Sequence, residues 1–78
     1  MDENRDSQAV FLVSAPEAAH LLRISRAHFH ALNSSGRLGP VGVKLGRSVR
    51  WRTDELRAWV SQGCPPRDRW LAMRRGQV

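Results

Sequence analysis

Two helix starts lie eleven residues apart, at Ser14 and Ser25, and the short span between them restricts what this chain can fold into. In SAPEAAHLL, Ser14 and Glu17 form the S-x-x-E pattern in which each side chain satisfies the other residue's backbone N–H. Pro16 falls in the first turn, where a missing N–H costs nothing. Ala18, Leu21 and Leu22 recur at i, i+3 and i+4, which predicts a short helix over 15–22. Ser25 opens a second helix through RAHFHALNSSG, and Gly36 is placed as its stop. Two short helices joined by such a brief turn must pack against each other.

The next stretch, VGVKLGRSVRWR at 41–52, changes the period from 3.6 to 2. Val41, Val43, Leu45, Val49 and Trp51 alternate with Lys44, Arg50 and Arg52, while Gly46 and Arg47 interrupt the run. This predicts a hairpin of strands at 42–45 and 49–52, with Val43, Val49 and Trp51 on the core and Lys44, Arg47 and Arg50 facing out. Thr53 is expected to cap a third helix, with Asp54 and Glu55 in the first turn, where the helix dipole favours acids. Leu56, Trp59 and Val60 would form its apolar stripe and Gly63 its end. Beyond CPP, the segment RDRWLAMRRG can form one more short helix, but Trp70, Leu71 and Met73 make no wide stripe. That tail reads as a clasp on the core or as an interaction segment. At the other end, MDENRDSQ is polar and aperiodic, and AVFLV has strand character. The expected organisation is a disordered arm at 1–9, one folded domain at 10–63 and a basic tail at 64–78.

Charge narrows the class of partner. Thirteen Lys and Arg against seven Asp and Glu give a net charge of +6 in 78 residues. Residues 1–14 sum to −2, 15–63 to +5 and 64–78 to +3, and no acid falls between Arg37 and Arg52. A basic middle and tail favour a polyanion. No apolar run approaches the roughly 18 residues that span a bilayer, and the acidic start is not a secretory leader. Cys64 is the single cysteine, so no internal disulfide can form. These features point to a cytoplasmic protein with no membrane partner.

On a helical wheel the second helix puts Phe29 and Leu32 together with Asn33 beside them. Ala27, Ala31 and Ser34 lie opposite, flanked by His28 and His30. Small residues at the centre of an outer face let a backbone approach something closely. A helix about 10–12 Å across fits the major groove of duplex DNA, and a basic hairpin beside it can reach phosphates. Enzyme chemistry finds no support. His28 and His30 diverge by roughly 200° around the helix and cannot share an ion, and Cys-x-x-Cys or His-x₃-His spacing is absent. No residue is marked as a base for Cys64 and no phosphate-cradling glycine loop occurs. No metal or other cofactor is expected. Trp51, Trp59 and Phe29 fall on inward faces, which leaves no aromatic platform for single-stranded RNA.

The ordered set Glu17-Ala18-Ala19, Leu21-Leu22, Ser25-Arg26, Phe29, Ser35-Gly36, Gly46-Arg47, Trp51, Asp54, Leu56 and Trp59 resembles the MerR-like winged helix-turn-helix of AlpA-type prophage regulators and excisionases. The resemblance covers about residues 12–62. It implies an α+β, mainly helical fold with a small β-hairpin wing. Two departures stand out: Arg23 occupies the turn position where the family usually has Gly, and His30-Ala31 replaces the usual aromatic and Arg. The implied contacts to double-stranded DNA are Ser25, Arg26, Ala27, His28, His30, Ala31 and Ser34 from the helix at 26–35, in the major groove. Lys44, Arg47, Ser48 and Arg50 follow from the wing, on the backbone or minor groove, with Arg47 at the tip the best placed to enter a groove. The implied roles are an excisionase-like recombination directionality factor, with an integrase or recombinase as partner, or a prophage-type transcriptional regulator. Self-association along DNA through the 64–78 tail is expected, at the nucleoid. The alternative is a protein-interaction adaptor or phage DNA-packaging subunit on the same fold.

Overall fold

Both sequence-encoded starts form caps. The computed structural model describes residues 11–76; the arm expected at 1–9 lies outside them. Strand β1 (Leu12–Val13) leads into helix α1 (Ala15–Leu22). Ser14 N–H donates to Glu17 Oε1 at 2.8 Å, and Ser14 Oγ accepts from Glu17 N–H at 3.3 Å. The Ser14 backbone bond, and then its hydroxyl, hold the Glu17 carboxyl below its ordinary range, with the charge of Arg50 adding to the effect. A carboxyl lowered in the folded state stabilises above its unfolded pKa, and that contribution fades as pH falls through the lowered value.

Helix α1 ends at Arg23, which takes the left-handed conformation (φ 63, ψ 40). Arg23 N–H donates to His20 O and Ile24 N–H to Ala19 O, each at 3.0 Å, so the turn satisfies the last carbonyls. Ser25 then accepts from His28 N–H at 3.0 Å and opens α2 (Arg26–Ser34). The conformation demanded at Arg23 suits glycine, and a side chain there costs about 1–2 kcal/mol. Arg23→Gly is therefore expected to stabilise by about 1 kcal/mol, raising the melting temperature by about 4–8 °C for a domain this size. A thermal melt followed by circular dichroism checks it; an unchanged or lower midpoint would refute the strain.

Glycine also ends α2, with Gly36 at φ 79. The chain then buries Leu38, Gly39 and Pro40 before strand β2 (Val43–Leu45) turns at Gly46 and Arg47 into β3 (Ser48–Arg52). The antiparallel sheet has the order β1-β3-β2, so the apolar run near the N-terminus adds a third strand to the expected hairpin. Helix α3 (Thr53–Ser61) follows at once. Its N-cap is Arg52, not Thr53, and makes no side-chain capping bond. Thr53 instead donates from its backbone N–H to Phe11 O at 3.0 Å and from its hydroxyl to the same oxygen at 3.4 Å, fastening β1. Gly63 (φ 88) ends α3, and α4 (Arg67–Arg75) closes the described chain.

One core joins these parts: Val13, Ala18, Ala19, Phe29, Leu38, Trp51, Leu56, Trp59 and Trp70. Two expected stripe positions fall outside it, Leu21 at 56% and Val60 at 47% exposure. On α1 the buried pair is Ala18 and Ala19, which turns Leu21 away from the core. Trp70 brings α4 onto the core, and Trp59 Nε1 donates to Pro65 O at 2.7 Å, fixing the link before it.

Candidate nucleic-acid interface

The second helix is anchored on one side and open on the other. Phe29 is fully buried and meets Trp51 of β3 edge-to-face, with centroids 5.0 Å apart and planes at 85°. This contact packs α2 directly against the wing strand. Arg26, Ala27, His28, His30, Ala31 and Ser34 are all exposed. Ala27, Ala31 and Ser34 form the low centre of that face; His30, edge-on to Phe29 at 6.0 Å, and Arg26 rise on one side and His28 on the other. Ser25 is also exposed, with its oxygen accepting the cap bond, and Ser34 Oγ donates to Ala31 O at 3.4 Å.

The wing differs from its expected facing. The ladder pairs Val43 with Arg50, Lys44 with Val49 and Leu45 with Ser48. Directly opposed residues share a face, so a two-residue turn matches odd positions with even ones. Lys44 therefore lies on the side of Val49 and Trp51, and Arg50 on the side of Val43 and Ser48. An oily face and a cationic face do not separate. Leu45, Val49 and Val41 are exposed, and Trp51 alone of the wing residues is fully inside the core. Gly46 (φ 61) supplies the left-handed first position of the turn and leaves Arg47 exposed at the tip. Lys44 and Arg47 are thus exposed cations on the Trp51 side and at the tip, with no ion pair among the described residues. Arg50 is half-buried, donates to Val49 O at 3.1 Å and lies near Glu17, so part of its charge is already answered.

Sequence reasoning missed Arg67. Its backbone N–H donates to Gly36 O at 2.9 Å, its Nε to Leu38 O at 3.1 Å and its Nη2 to Asn33 Oδ1 at 2.7 Å. All three acceptors belong to the C-terminal end of α2 or the residues just after it. No periodicity marks Arg67, because the contact spans 34 positions. A second surface, between α1, α2 and α3, holds an open apolar groove lined by Leu21, Leu22, Ile24, Leu32, Trp59 and Val60.

Among the described residues no group of three or more His, Cys, Asp and Glu is placed to hold a metal, and no helix is long and apolar enough to cross a membrane. A family model described as a helix-turn-helix domain matches residues 12–64, from β1 to just past the end of α3. No curated protein and no solved structure matches the chain.

Proposed function

The chain belongs to the helix-turn-helix domain family, and on that premise we propose that it binds double-stranded DNA sequence-specifically. Helix α2 enters the major groove, and the β2–β3 wing lies on the adjacent backbone or minor groove. The observation that carries this reading is the exposed face of α2, small at its centre through Ala27, Ala31 and Ser34 and hydrogen-bonding at its edges, on a helix braced from behind by Phe29 on Trp51. Arg26 stands at the helix N-terminus, from which recognition helices read bases. Ser25, Arg26, Ala27, His28, His30, Ala31 and Ser34 form the groove-facing set; Lys44, Arg47, Ser48 and Arg50 form the wing set, with Lys44 and Arg47 contributing most.

Within the family, the ordered motif set favours an AlpA-type, MerR-like regulator or an excisionase-like recombination directionality factor of a prophage or mobile element. Both roles need only binding and architecture, with no catalytic group and no cofactor. One domain covers a small site, so several copies assemble along the DNA, in contact through the outward face of α4, where Arg69, Leu71 and Arg75 are exposed. The same face is available to an integrase or recombinase.

Duplex affinity measured against salt tests the binding reading. About five neutralised phosphates give a log–log slope near −4.5, so raising salt fourfold lowers affinity roughly 500-fold. Arg47→Ala is expected to weaken all sequences alike and to flatten the slope by about 0.9. A salt-independent affinity, or no duplex binding at low salt, refutes the proposal. The apolar groove at Leu21 and Val60 supports a second reading, a protein-interaction adaptor, whose mark is a protein complex stable at high salt and without DNA.

A further inference from the structure

We infer that Arg67 is a positioning residue for DNA recognition: it sets the recognition helix from its C-terminal end without touching DNA itself. This rests on the duplex-binding reading of α2. The first turn of α4 lies where α2 ends, and Arg67 makes three bonds there, to Gly36 O, Leu38 O and Asn33 Oδ1. A guanidinium suits this task because its planar fork reaches two acceptors at once in fixed geometry; an ammonium is a single point. Asn33 lies on the flank of α2 between the buried side of Phe29 and the exposed side of Arg26 and His30, so holding its amide restrains rotation of the helix about its axis.

The rest of α4 makes that restraint rigid. Trp70 is buried, its Nε1 donating to Glu55 Oε2 at 2.9 Å. Arg74 lies 5.7 Å from the centre of the Trp70 ring and 3.6 Å from Glu55 Oε2. Glu55 belongs to α3, so α4 bridges α3 and the end of α2. Phe29 on Trp51 fixes the middle of α2 to the wing, and Arg67 fixes its end to α4. Two anchors along one helix define both its tilt and its rotation, which a base-reading side chain needs. The family match ends at residue 64, so the second anchor lies outside the matched domain.

The test compares the 78-residue chain with its Arg67→Ala, Asn33→Leu and double variants. Each is measured on a duplex selected from random sequence by the wild type and on a scrambled duplex, across salt and well below every melting temperature. Arg67→Ala is expected to lose about tenfold of the preference for the selected duplex, the scale of one misplaced base contact. The salt slope stays unchanged, because no phosphate contact is removed. The double variant should be no worse than the more affected single variant, since both changes remove the same Arg67–Asn33 bond.

A mere loss of stability would lower the melting temperature and leave the preference intact, which overturns the inference. Equal weakening on both duplexes with a slope flatter by about 0.9 also overturns it, making Arg67 a phosphate ligand. Additive losses remove Asn33 from the path and overturn it as well. If Arg67→Ala does not fold, Arg67→Lys keeps the stem and charge but cannot bridge Asn33 and Leu38, and it carries the same expectations. A wild type that binds no duplex fails the parent reading and this inference together; a wild type that selects a site which Arg67→Ala selects equally well fails this inference alone.

Discussion

Trp70→Ala is expected to destabilise the protein by about 3–5 kcal/mol, the range for a buried tryptophan cut to its Cβ. The indole is 3% exposed and fills the space over Gly39, where an added Cβ would lie 2.8 Å from Trp70 Cγ and 2.5 Å from Trp59 Nε1. Removing it opens a cavity between two core segments and takes the indole donor from Glu55, whose side chain is only 10% exposed. A 78-residue chain sits toward the low end of the usual stability of about 5–15 kcal/mol. A loss of this size brings the variant close to half unfolded at room temperature. Urea unfolding followed by fluorescence and by circular dichroism measures it. Trp70→Phe keeps most of the packing and loses the bond to Glu55, so its cost is smaller, about 1–3 kcal/mol. Gly39→Ala attacks the same contact from the other side and costs about 1–3 kcal/mol through overpacking. An alanine variant within about 1 kcal/mol of wild type would show that α4 is not part of the cooperative unit.

That expectation marks the boundary of what the sequence discloses. The caps at Ser14 and Ser25 and the stops at Gly36 and Gly63 were legible because each depends on a few neighbouring residues. The place of α4 was not. Its inward face is Arg67, Trp70, Met73 and Arg74, at i, i+3, i+6 and i+7, and two of these four are arginines. A hydrophobic period cannot show a face whose contacts are half guanidinium. The wing fails differently. Its period of 2 is real, but which residues share a face depends on the turn length, and the two-residue turn at Gly46–Arg47 pairs 44 with 49 and 43 with 50. Shifting such a ladder by one residue exchanges every face. Leu21 and Val60 were assigned inward from their i, i+3, i+4 spacing, but each stands at the edge of its stripe, and buried Ala18 and Ala19 let α1 pack close without Leu21. Among the candidate contacts, the exposure of the α2 residues was readable from the wheel because Phe29 and Leu32 mark which side is inside. The wing set was readable only as a group of charges, without the facing that separates Lys44 from Arg50.

Ala31→Glu is expected to abolish useful DNA binding while leaving the fold intact. Ala31 is exposed at the centre of the outward face of α2, between Ala27 and Ser34, and is not part of the core. Glutamate is a good helix former, so intrinsic propensity costs a few tenths of a kcal/mol. Its charge in the second half of α2 opposes the helix dipole by about 0.3–1 kcal/mol, and a melt should shift by only a few degrees. Against DNA the same carboxylate acts twice. It fills the one place where the helix backbone can come close, and it sets a negative charge among phosphates. Juxtaposed like charges cost several kcal/mol at an interface, which corresponds to at least about 100-fold in affinity at 1.4 kcal/mol per decade. The loss applies to selected and scrambled duplexes alike, because repulsion from the backbone does not depend on the bases. Leu21→Glu is the matched control. Leu21 lines the apolar groove at 56% exposure, beside Leu32 and away from the outward face of α2 that carries Ala27, Ala31 and Ser34, so a carboxylate there is solvated and off the proposed contact face. Duplex affinity should then stay within about threefold of wild type, since a remote exposed charge is largely screened. If Ala31→Glu binds normally and Leu21→Glu breaks a protein complex, the functional surface is the groove and not α2.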